Sequence, residues 1–229
     1  MPENAQRRST VMTLLTLIAG SLLRLRRWSQ PAHLRLPKRV HRDGMRLFIG
    51  IPLAAAVTEQ LAGLRARLER PGDGLRWSSP DGWHITLQFL GSTSDPQYGC
   101  VVEQLKKLSS TGVPVRLMDP GFFDRAGVFF VDVLVTEKLA HLQQMVTRAT
   151  SLCGFVPEDR PYHPHITLAR KKGKVGKGIH DLRRTLESAG SLNQSFPVFT
   201  AREFLLYESF PGPEGSHYQV RSRFALNGS

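Results

Sequence analysis

The chain is predicted to fold as an α+β protein with two lobes, in which two antiparallel sheets with outer helices face each other across a central cleft. Strand and helix patterns are mixed along the sequence without a regular βαβ repeat, which favours this class. The tetrapeptide His-Ile-Thr-Leu also occurs twice, at His84–Leu87 and at His165–Leu168. Both copies lie in apolar runs, and their repetition predicts two similar lobes that share one cleft.

The first part of the domain opens with alternating apolar residues. From Met45 onward the pattern predicts a strand, a helix with a buried apolar face, a short strand and the first motif strand: Arg46–Ile51, Val57–Leu68, Leu75–Trp77 and Trp83–Gly91. Pro52 ends the first strand, and Pro71-Gly72 ends the helix, because proline and glycine interrupt both kinds of element.

The second part continues the mixed pattern. The predicted elements are a helix, two strands, a helix, the second motif strand, a helix and three strands: Val101–Leu108, Val113–Met118, Gly127–Val135, Leu139–Ala149, a strand from Pro164 onward, Ile179–Ala189, Phe196–Thr200, Glu203–Glu208 and Tyr218–Leu226. Pro120-Gly121 is predicted to be a turn between the first two of these strands.

Residues 1–44 differ in composition from the rest and are predicted to be a basic extension that is disordered or partly helical, with the folded domain at 45–229. The extension carries a net charge of +7, out of +12 for the whole chain. Val11–Leu23 is an apolar stretch too short for a transmembrane helix. Its flanking arginines permit an organelle presequence or a segment lying on an anionic membrane. A start of translation upstream of the true one, at Met45, is a further interpretation.

The two cysteines, Cys100 and Cys153, form neither a disulfide framework nor a metal-ligand pattern in the sequence. Both fall in predicted helices and are expected to be core or near-core residues. This usage indicates a reducing compartment, and the predicted localisation is cytoplasmic.

Each motif places one histidine and one threonine on the same face of a strand. Residues i and i+2 point to the same side of a strand, so His84 and Thr86 are expected to line the cleft, as are His165 and Thr167. Two imidazoles can act as general acid and general base, and two hydroxyls can stabilise charge on phosphoryl oxygens. The arrangement suits in-line displacement at phosphorus, with no metal required.

The paired His-x-Thr-x motifs, together with the flanking runs Trp83–Gly91 and Arg160–Arg170, closely resemble the 2H phosphoesterase superfamily. Within it, the chain is similar to the RNA 2′,3′-cyclic phosphodiesterases, historically called 2′-5′ RNA ligases. Met45–Ile49 and Leu205–Ser209 also resemble early and late strands of that family. The resemblance spans about residues 45–226.

The resemblance implies hydrolysis of RNA 2′,3′-cyclic phosphate ends to 2′-phosphomonoesters, with 2′-5′ ligation as a secondary reverse reaction. It implies that His84 is the proton donor, His165 the proton acceptor, and that Thr86, Thr167 and Arg170 bind substrate. No cofactor is expected. The expected partner is RNA or a nucleotide with a cyclic phosphate end, and the protein is expected to be a monomer without an obligate protein partner.

Two other functions stay open from the residues alone. His163 forms a His-Pro-His sequence with His165, and these residues together with His84 could bind zinc in a metal-dependent hydrolase. Alternatively, the two motif strands could bind a terminal phosphate without turnover. Because Pro164 marks the beginning of the strand, His163 is expected to turn away and to have a positioning or structural role.

Several residues near the motifs have less decisive patterns. Arg170 lies five positions after His165, so it can face the cleft only if the strand ends or bulges near it. The run of lysines and glycines that follows could steer RNA phosphates or could be merely solvated: Lys171, Lys172, Gly173, Lys174, Gly176, Lys177 and Gly178. Four aromatic residues could stack on bases but are more often core residues in strands: Phe48, Trp83, Phe123 and Tyr162.

Overall fold

A computed structural model describes residues 44–173, 178–188, 195–213 and 215–227. The predictions for the N-terminal extension and for Lys174 to Lys177 lie outside these residues. No helix in the described part of the chain is long and apolar enough to cross a membrane.

The described residues form ten strands, four α-helices and one 3₁₀ turn. In chain order these elements are β1 (Met45–Pro52), α1 (Ala55–Leu68), β2 (Leu75–Trp77), the 3₁₀ turn (Pro80–Gly82), β3 (His84–Thr93), α2 (Asp95–Lys106), β4 (Val113–Val115), β5 (Leu117–Phe123), β6 (Val128–Val133), α3 (Glu137–Ser151), β7 (His165–Lys171), α4 (Gly178–Ser188), β8 (Phe199–Ala201), β9 (Glu203–Gly212) and β10 (Gly215–Ala225).

Two four-stranded antiparallel sheets carry the architecture. The first has the strand order β10–β9–β1–β3, and the second has the order β2–β7–β6–β5. Each sheet therefore contains one motif strand, and the two motif strands contact each other. This confirms the predicted α+β class with two facing sheets. A small third sheet of β4 and β8 was not predicted.

One predicted strand is two strands in the structure. Val113–Met118 divides into β4 and the start of β5, which belong to different sheets. The predicted turn at Pro120-Gly121 is also wrong, because both residues lie inside β5. β5 is the outer strand of its sheet, where a proline that cannot donate a backbone hydrogen bond is tolerated. The turn follows β5, at residues 124–127, where Gly127 adopts a φ of 61°.

The helices begin where side-chain caps are available and bury the predicted apolar faces. Ser94 and Gln97 form a capping box at the start of α2, and Thr136 caps α3. At the other end of α3, the hydroxyl of Thr150 donates a 2.7 Å hydrogen bond to the side-chain oxygen of Gln88 in β3. Both side chains are buried, so this bond fixes the helix against the first motif strand.

The expectation that the two cysteines form no disulfide was wrong. Cys100 in α2 and Cys153, two residues beyond α3, form a disulfide with their Cα atoms 5.7 Å apart. Both residues are half-buried, and Cys153 packs against the core, as expected for a near-core residue. The pairing could not be deduced from the sequence, because it depends on how α2 and α3 pack together. The inference of a reducing compartment from unpaired cysteines therefore loses its basis, and cytoplasmic localisation stays a prediction.

The hydrophobic core extends through both sheets and the faces of the helices. A second, small cluster lies apart from it and consists of Phe48, Leu205 and Tyr207, with Tyr218 packed against them. These residues come from β1, β9 and β10 and stand beneath one side of the cleft. The first sheet therefore has an apolar layer on each of its faces, and the layer on the cleft side supports the functional residues.

Candidate active site

The two motif strands present their side chains as the alternation predicted. Ile85, Leu87, Ile166 and Leu168 are at most 2% exposed and belong to the core. The intervening histidines and threonines are half-buried and line one cavity of about 420 Å³. The cavity has residues of both sheets in its lining: Arg46, Leu47, Phe48, Ser78, Gly82, His84, Thr86, Phe89, Gly91, His165, Thr167, Arg170, Ser209, Ser216 and Tyr218.

Each motif strand carries a bulge at the leucine of its motif. In β3, Thr86 and Gln88 pair with consecutive residues of β1, which leaves Leu87 as the extra residue. In β7, Thr167 and Ala169 pair with consecutive residues of β6, which leaves Leu168 as the extra residue. A bulge turns the following residues to the opposite faces of the strand.

The bulges bring the fifth residue after each histidine into the cavity. Arg170 follows His165 by five positions and lines the cavity, as the sequence allowed if the strand bulged. Phe89 follows His84 by the same interval, lines the cavity and keeps 58% of its surface exposed. Phe89 was not predicted as a site residue, although its position in the first motif, identical to that of Arg170 in the second, is a signal that could have identified it.

His84 is held by a backbone carbonyl two residues upstream and by three aromatic rings. Its Nδ1 donates a 2.8 Å hydrogen bond to the carbonyl oxygen of Gly82, which leaves Nε2 available to a ligand. The rings of Phe48, Tyr207 and Tyr218 lie 4.5, 5.6 and 5.2 Å from its own, between centroids. Burial among them lowers the pKa of His84 to about 4, although the Gly82 carbonyl opposes this shift.

His165 repeats this arrangement in the second sheet. Its Nδ1 donates a 2.8 Å hydrogen bond to the carbonyl oxygen of His163, again two residues upstream. The rings of Phe123 and Phe130 lie 5.0 and 5.3 Å from its ring. Burial lowers the pKa of His165, the His163 carbonyl opposes this, and the nearby Asp132 carboxylate also favours the charged form. Burial thus favours the neutral form of both histidines in the free cleft.

His163 has a different environment from the two motif histidines. It precedes β7, does not line the cavity, and its Nε2 lies 2.9 Å from the carboxylate of Asp132 in β6. His163, whose carbonyl oxygen accepts the hydrogen bond from His165, is therefore itself held by the Asp132 carboxylate. Among the described residues, no group of three or more His, Cys, Asp or Glu side chains is arranged to hold a metal ion.

The aromatic residues considered from the sequence are mostly structural. Phe48 and Trp83 are at most 5% exposed. Tyr162 donates a 3.1 Å hydrogen bond from its hydroxyl to the backbone carbonyl of Thr86, and burial raises its pKa. This bond connects the segment before β7 with β3, so Tyr162 joins the two lobes beside the cavity.

Comparison with known proteins identifies relatives over most of the described domain. A family model described as LigT like Phosphoesterase matches residues 51–130 and 132–218. An RNA 2′,3′-cyclic phosphodiesterase of Escherichia coli strain K12 is 30% identical over 185 residues, which cover 80% of this chain and 98% of the relative.

Solved structures of E. coli LigT are similar as well. The apo crystal structure has a TM-score of 0.65 at 26% identity, covering 81% of this chain and 99% of that one. The structure of E. coli LigT complexed with 3′-AMP has a TM-score of 0.65 at 26% identity and covers 80% of this chain and 98% of that one.

Proposed function

The chain belongs to the LigT like Phosphoesterase family, and we propose that it hydrolyses 2′,3′-cyclic phosphate ends of RNA to 2′-phosphomonoesters. The observation that carries the proposal is the convergence of His84, His165 and Arg170 on one cavity, with Nδ1 of each imidazole engaged by a backbone carbonyl. The E. coli relative named RNA 2′,3′-cyclic phosphodiesterase supports the choice of substrate.

In the proposed reaction the two imidazoles act through Nε2. His165 accepts a proton from water as the water oxygen bonds to phosphorus, and the P–O3′ bond breaks on the opposite side. His84 donates its proton to the departing O3′, which leaves a 3′-hydroxyl and a 2′-phosphomonoester. The assignment of donor and acceptor follows the family resemblance, since the local geometry of the two histidines is alike.

Three further residues would stabilise the phosphoryl group. The hydroxyls of Thr86 and Thr167 lie on the same strand faces as the histidines and can donate hydrogen bonds to non-bridging oxygens. Arg170 can place its guanidinium against the same oxygens, because the bulge at Leu168 turns it toward the cavity. Hydrogen-bond donors on both sheets would thus stabilise the negative charge that grows on the phosphoryl oxygens during displacement.

The protonation states require a contribution from the substrate. A general acid must carry its proton, yet burial holds the pKa of His84 at about 4 in the free cleft. Binding of an anionic phosphate beside the ring raises this pKa, because an opposite charge favours the imidazolium. An imidazolium in such an apolar site also gives up its proton readily, which suits a donor to a developing alkoxide.

The experiment that tests the proposal uses purified protein, EDTA and a short RNA ending in 2′,3′-cyclic phosphate, with the product end identified. We expect conversion to a 2′-phosphate, with His84→Ala and His165→Ala each lowering turnover by about 10²–10⁴-fold. Retained binding without conversion would instead identify an RNA-end-binding module. Loss of activity in EDTA that zinc restores would contradict a metal-independent reaction and favour the zinc alternative built on His84, His163 and His165.

The same assay tests 2′-5′ ligation. Joining of the cyclic phosphate to a 5′-hydroxyl end uses the same two proton transfers in the same sense, with the 5′-hydroxyl in place of water: His165 accepts the hydroxyl proton as the 5′-oxygen bonds to phosphorus, and His84 protonates the departing O3′. Water is far more concentrated than any RNA end, so hydrolysis should dominate. We therefore propose 2′-5′ ligation only as a secondary activity, to be measured as joined product at high concentrations of the 5′-hydroxyl strand.

A further inference from the structure

Arg76 is the neighbour of Arg170 on the edge of the second sheet. The two residues are direct Cα partners in the antiparallel pair of β2 and β7. Leu75 and Trp77, on either side of Arg76, are buried in the core, so Arg76 lies on the cleft face of β2 together with Arg170 on β7. Like charges directly opposite on two strands repel each other, and such a pair is therefore expected where an anion binds.

Neither arginine has a carboxylate partner within ion-pair distance among the described residues, which do not include Glu214. Five other arginines of the fold have such partners: Arg65 with Glu69, Arg160 with Glu158, Arg183 with Asp124, Arg221 with Glu208 and Arg223 with Glu203. Arg46, which lines the cavity from the first sheet, has no such partner among the described residues, and its Cα partner in β3 is Ser92 rather than a second arginine. The guanidinium groups of Arg76 and Arg170 are therefore available to bind the negatively charged groups of a ligand.

The side chain of Arg76 extends toward the first sheet. A Cβ atom placed on Gly215, at the start of β10, would lie 3.5 Å from Cδ and 3.6 Å from Nε of Arg76. The next residue, Ser216, lines the cavity. Arg76 does not line the cavity itself; its side chain lies beside the start of β10, next to the cavity-lining Ser216.

The two arginines carry more positive charge than the cyclic phosphate alone requires. A 2′,3′-cyclic phosphodiester carries one negative charge, which Arg170 can meet at the centre of the cavity. In an RNA chain the next negative charge belongs to the phosphodiester that joins the terminal nucleotide to the one before it. We infer that Arg76 binds this penultimate phosphate, so that the site selects oligonucleotide ends over mononucleotide cyclic phosphates. This inference rests on the proposed function.

The test compares two substrates in the wild-type protein and in Arg76→Gln: a short oligoribonucleotide ending in 2′,3′-cyclic phosphate, and 2′,3′-cyclic AMP. We expect kcat/KM of the variant to fall about tenfold or more on the oligonucleotide, as for loss of a charge-assisted hydrogen bond. On cyclic AMP it should change less than about twofold, and that rate also reports whether the variant is folded. For the oligonucleotide, the slope of log kcat/KM against log salt should weaken by about one.

Arg116→Gln serves as the matched control, because Arg116 is exposed, does not line the cavity and has no ion pair among the described residues. It should leave both rates unchanged. Equal losses of Arg76→Gln on both substrates, or no loss on the oligonucleotide, would overturn the inference while leaving the proposed function intact. A wild-type protein that converts neither substrate would overturn the proposed function, and the inference with it.

Discussion

Phe89 keeps an apolar ring exposed at the rim of a polar cavity, and a nucleobase is the part of the proposed substrate that such a ring fits. Base–aromatic stacking contributes about 1–3 kcal/mol per base, so we expect Phe89→Ala to lower kcat/KM by about tenfold or more. Because the side chain is 58% exposed, the melting temperature should change little. Steady-state kinetics on a cyclic-phosphate RNA measure the effect.

Met118→Ala provides the control for this prediction. Met118 is also a large apolar residue with an exposed side chain, but it does not line the cavity. Phe89→Trp should retain most of the activity, since it preserves a stacking surface. An unchanged kcat/KM in Phe89→Ala would show that bases bind elsewhere.

The lowered pKa values of the two histidines predict that kcat/KM has its optimum at acidic pH. The active form needs His84 charged and His165 neutral, and burial lowers the pKa of both below 6.5, to about 4 for His84. At low pH the pair takes up a second proton and both imidazoles are charged; at pH values above both lowered pKa values, both are neutral. The pH profile of kcat/KM should thus be bell-shaped, with its alkaline limb below pH 6.5.

The profile of kcat should lie at higher pH than that of kcat/KM, because bound phosphate raises the pKa of both imidazoles. Rates measured from about pH 3.5 to 9, with a buffer series of constant ionic strength, distinguish the two profiles. An alkaline limb of kcat/KM centred above pH 6.5 would mean that the cleft stabilises the imidazolium in the free protein, against the expected effect of burial.

At the scale of elements, Gly50 lets β1 pack directly against the first motif strand. Gly50 pairs with Thr86, and a Cβ atom there would lie 3.0 Å from the carbonyl oxygen of Ile85 and 3.3 Å from Cδ2 of His84. Gly50→Ala should therefore displace His84 and lower kcat by about tenfold or more, since small errors in position are costly in catalysis. Overpacking should also lower the free energy of unfolding by about 1–3 kcal/mol.

Gly63→Ala is the matched substitution for this prediction. A Cβ atom on Gly63, in α1, meets nothing within 4 Å, and alanine favours a helix, so this variant should be as stable as the wild type or more so. Kinetics and denaturant unfolding of both variants separate catalytic from structural effects. A Gly50→Ala variant with wild-type kcat would show that β1 does not set the position of His84.

The motif strands also show what a sequence can predict about a site. Alternation within His-Ile-Thr-Leu predicts the facing of four residues, because a strand has a period of two. The bulges at Leu87 and Leu168 have no signal of their own in the sequence, since each is an ordinary apolar strand residue. Arg170 could therefore be predicted to face the cleft only on the condition that the strand bulges, and Phe89 was not predicted to face it.

At the scale of the whole molecule, the sequence predicts the mixed fold but not the contacts between distant elements. Residues that are far apart along the chain decide that β4 pairs with β8 and that β5 joins the other sheet. The pairs Asp132–His163 and Arg76–Arg170 arise in the same way, from neighbouring strands of one sheet. Local sequence patterns carry no information on such pairings. The shared cleft could be predicted because the same tetrapeptide occurs in two strands, and each strand must belong to a sheet.

The disulfide between Cys100 and Cys153 gives a prediction for the whole molecule. It links residues 53 positions apart, and a cross-link of this span restricts the unfolded chain, which typically contributes about 2–4 kcal/mol. Cys100→Ser/Cys153→Ser should thus lower the free energy of unfolding by about that amount, while kcat stays unchanged because neither residue lines the cavity. Denaturant unfolding with and without reductant measures both states: reductant should destabilise the wild type toward the double variant and leave the variant unaffected. If reductant changes neither protein and thiol titration finds two free cysteines in the native wild type, the disulfide does not form in solution, and the helices α2 and α3 are joined by packing alone.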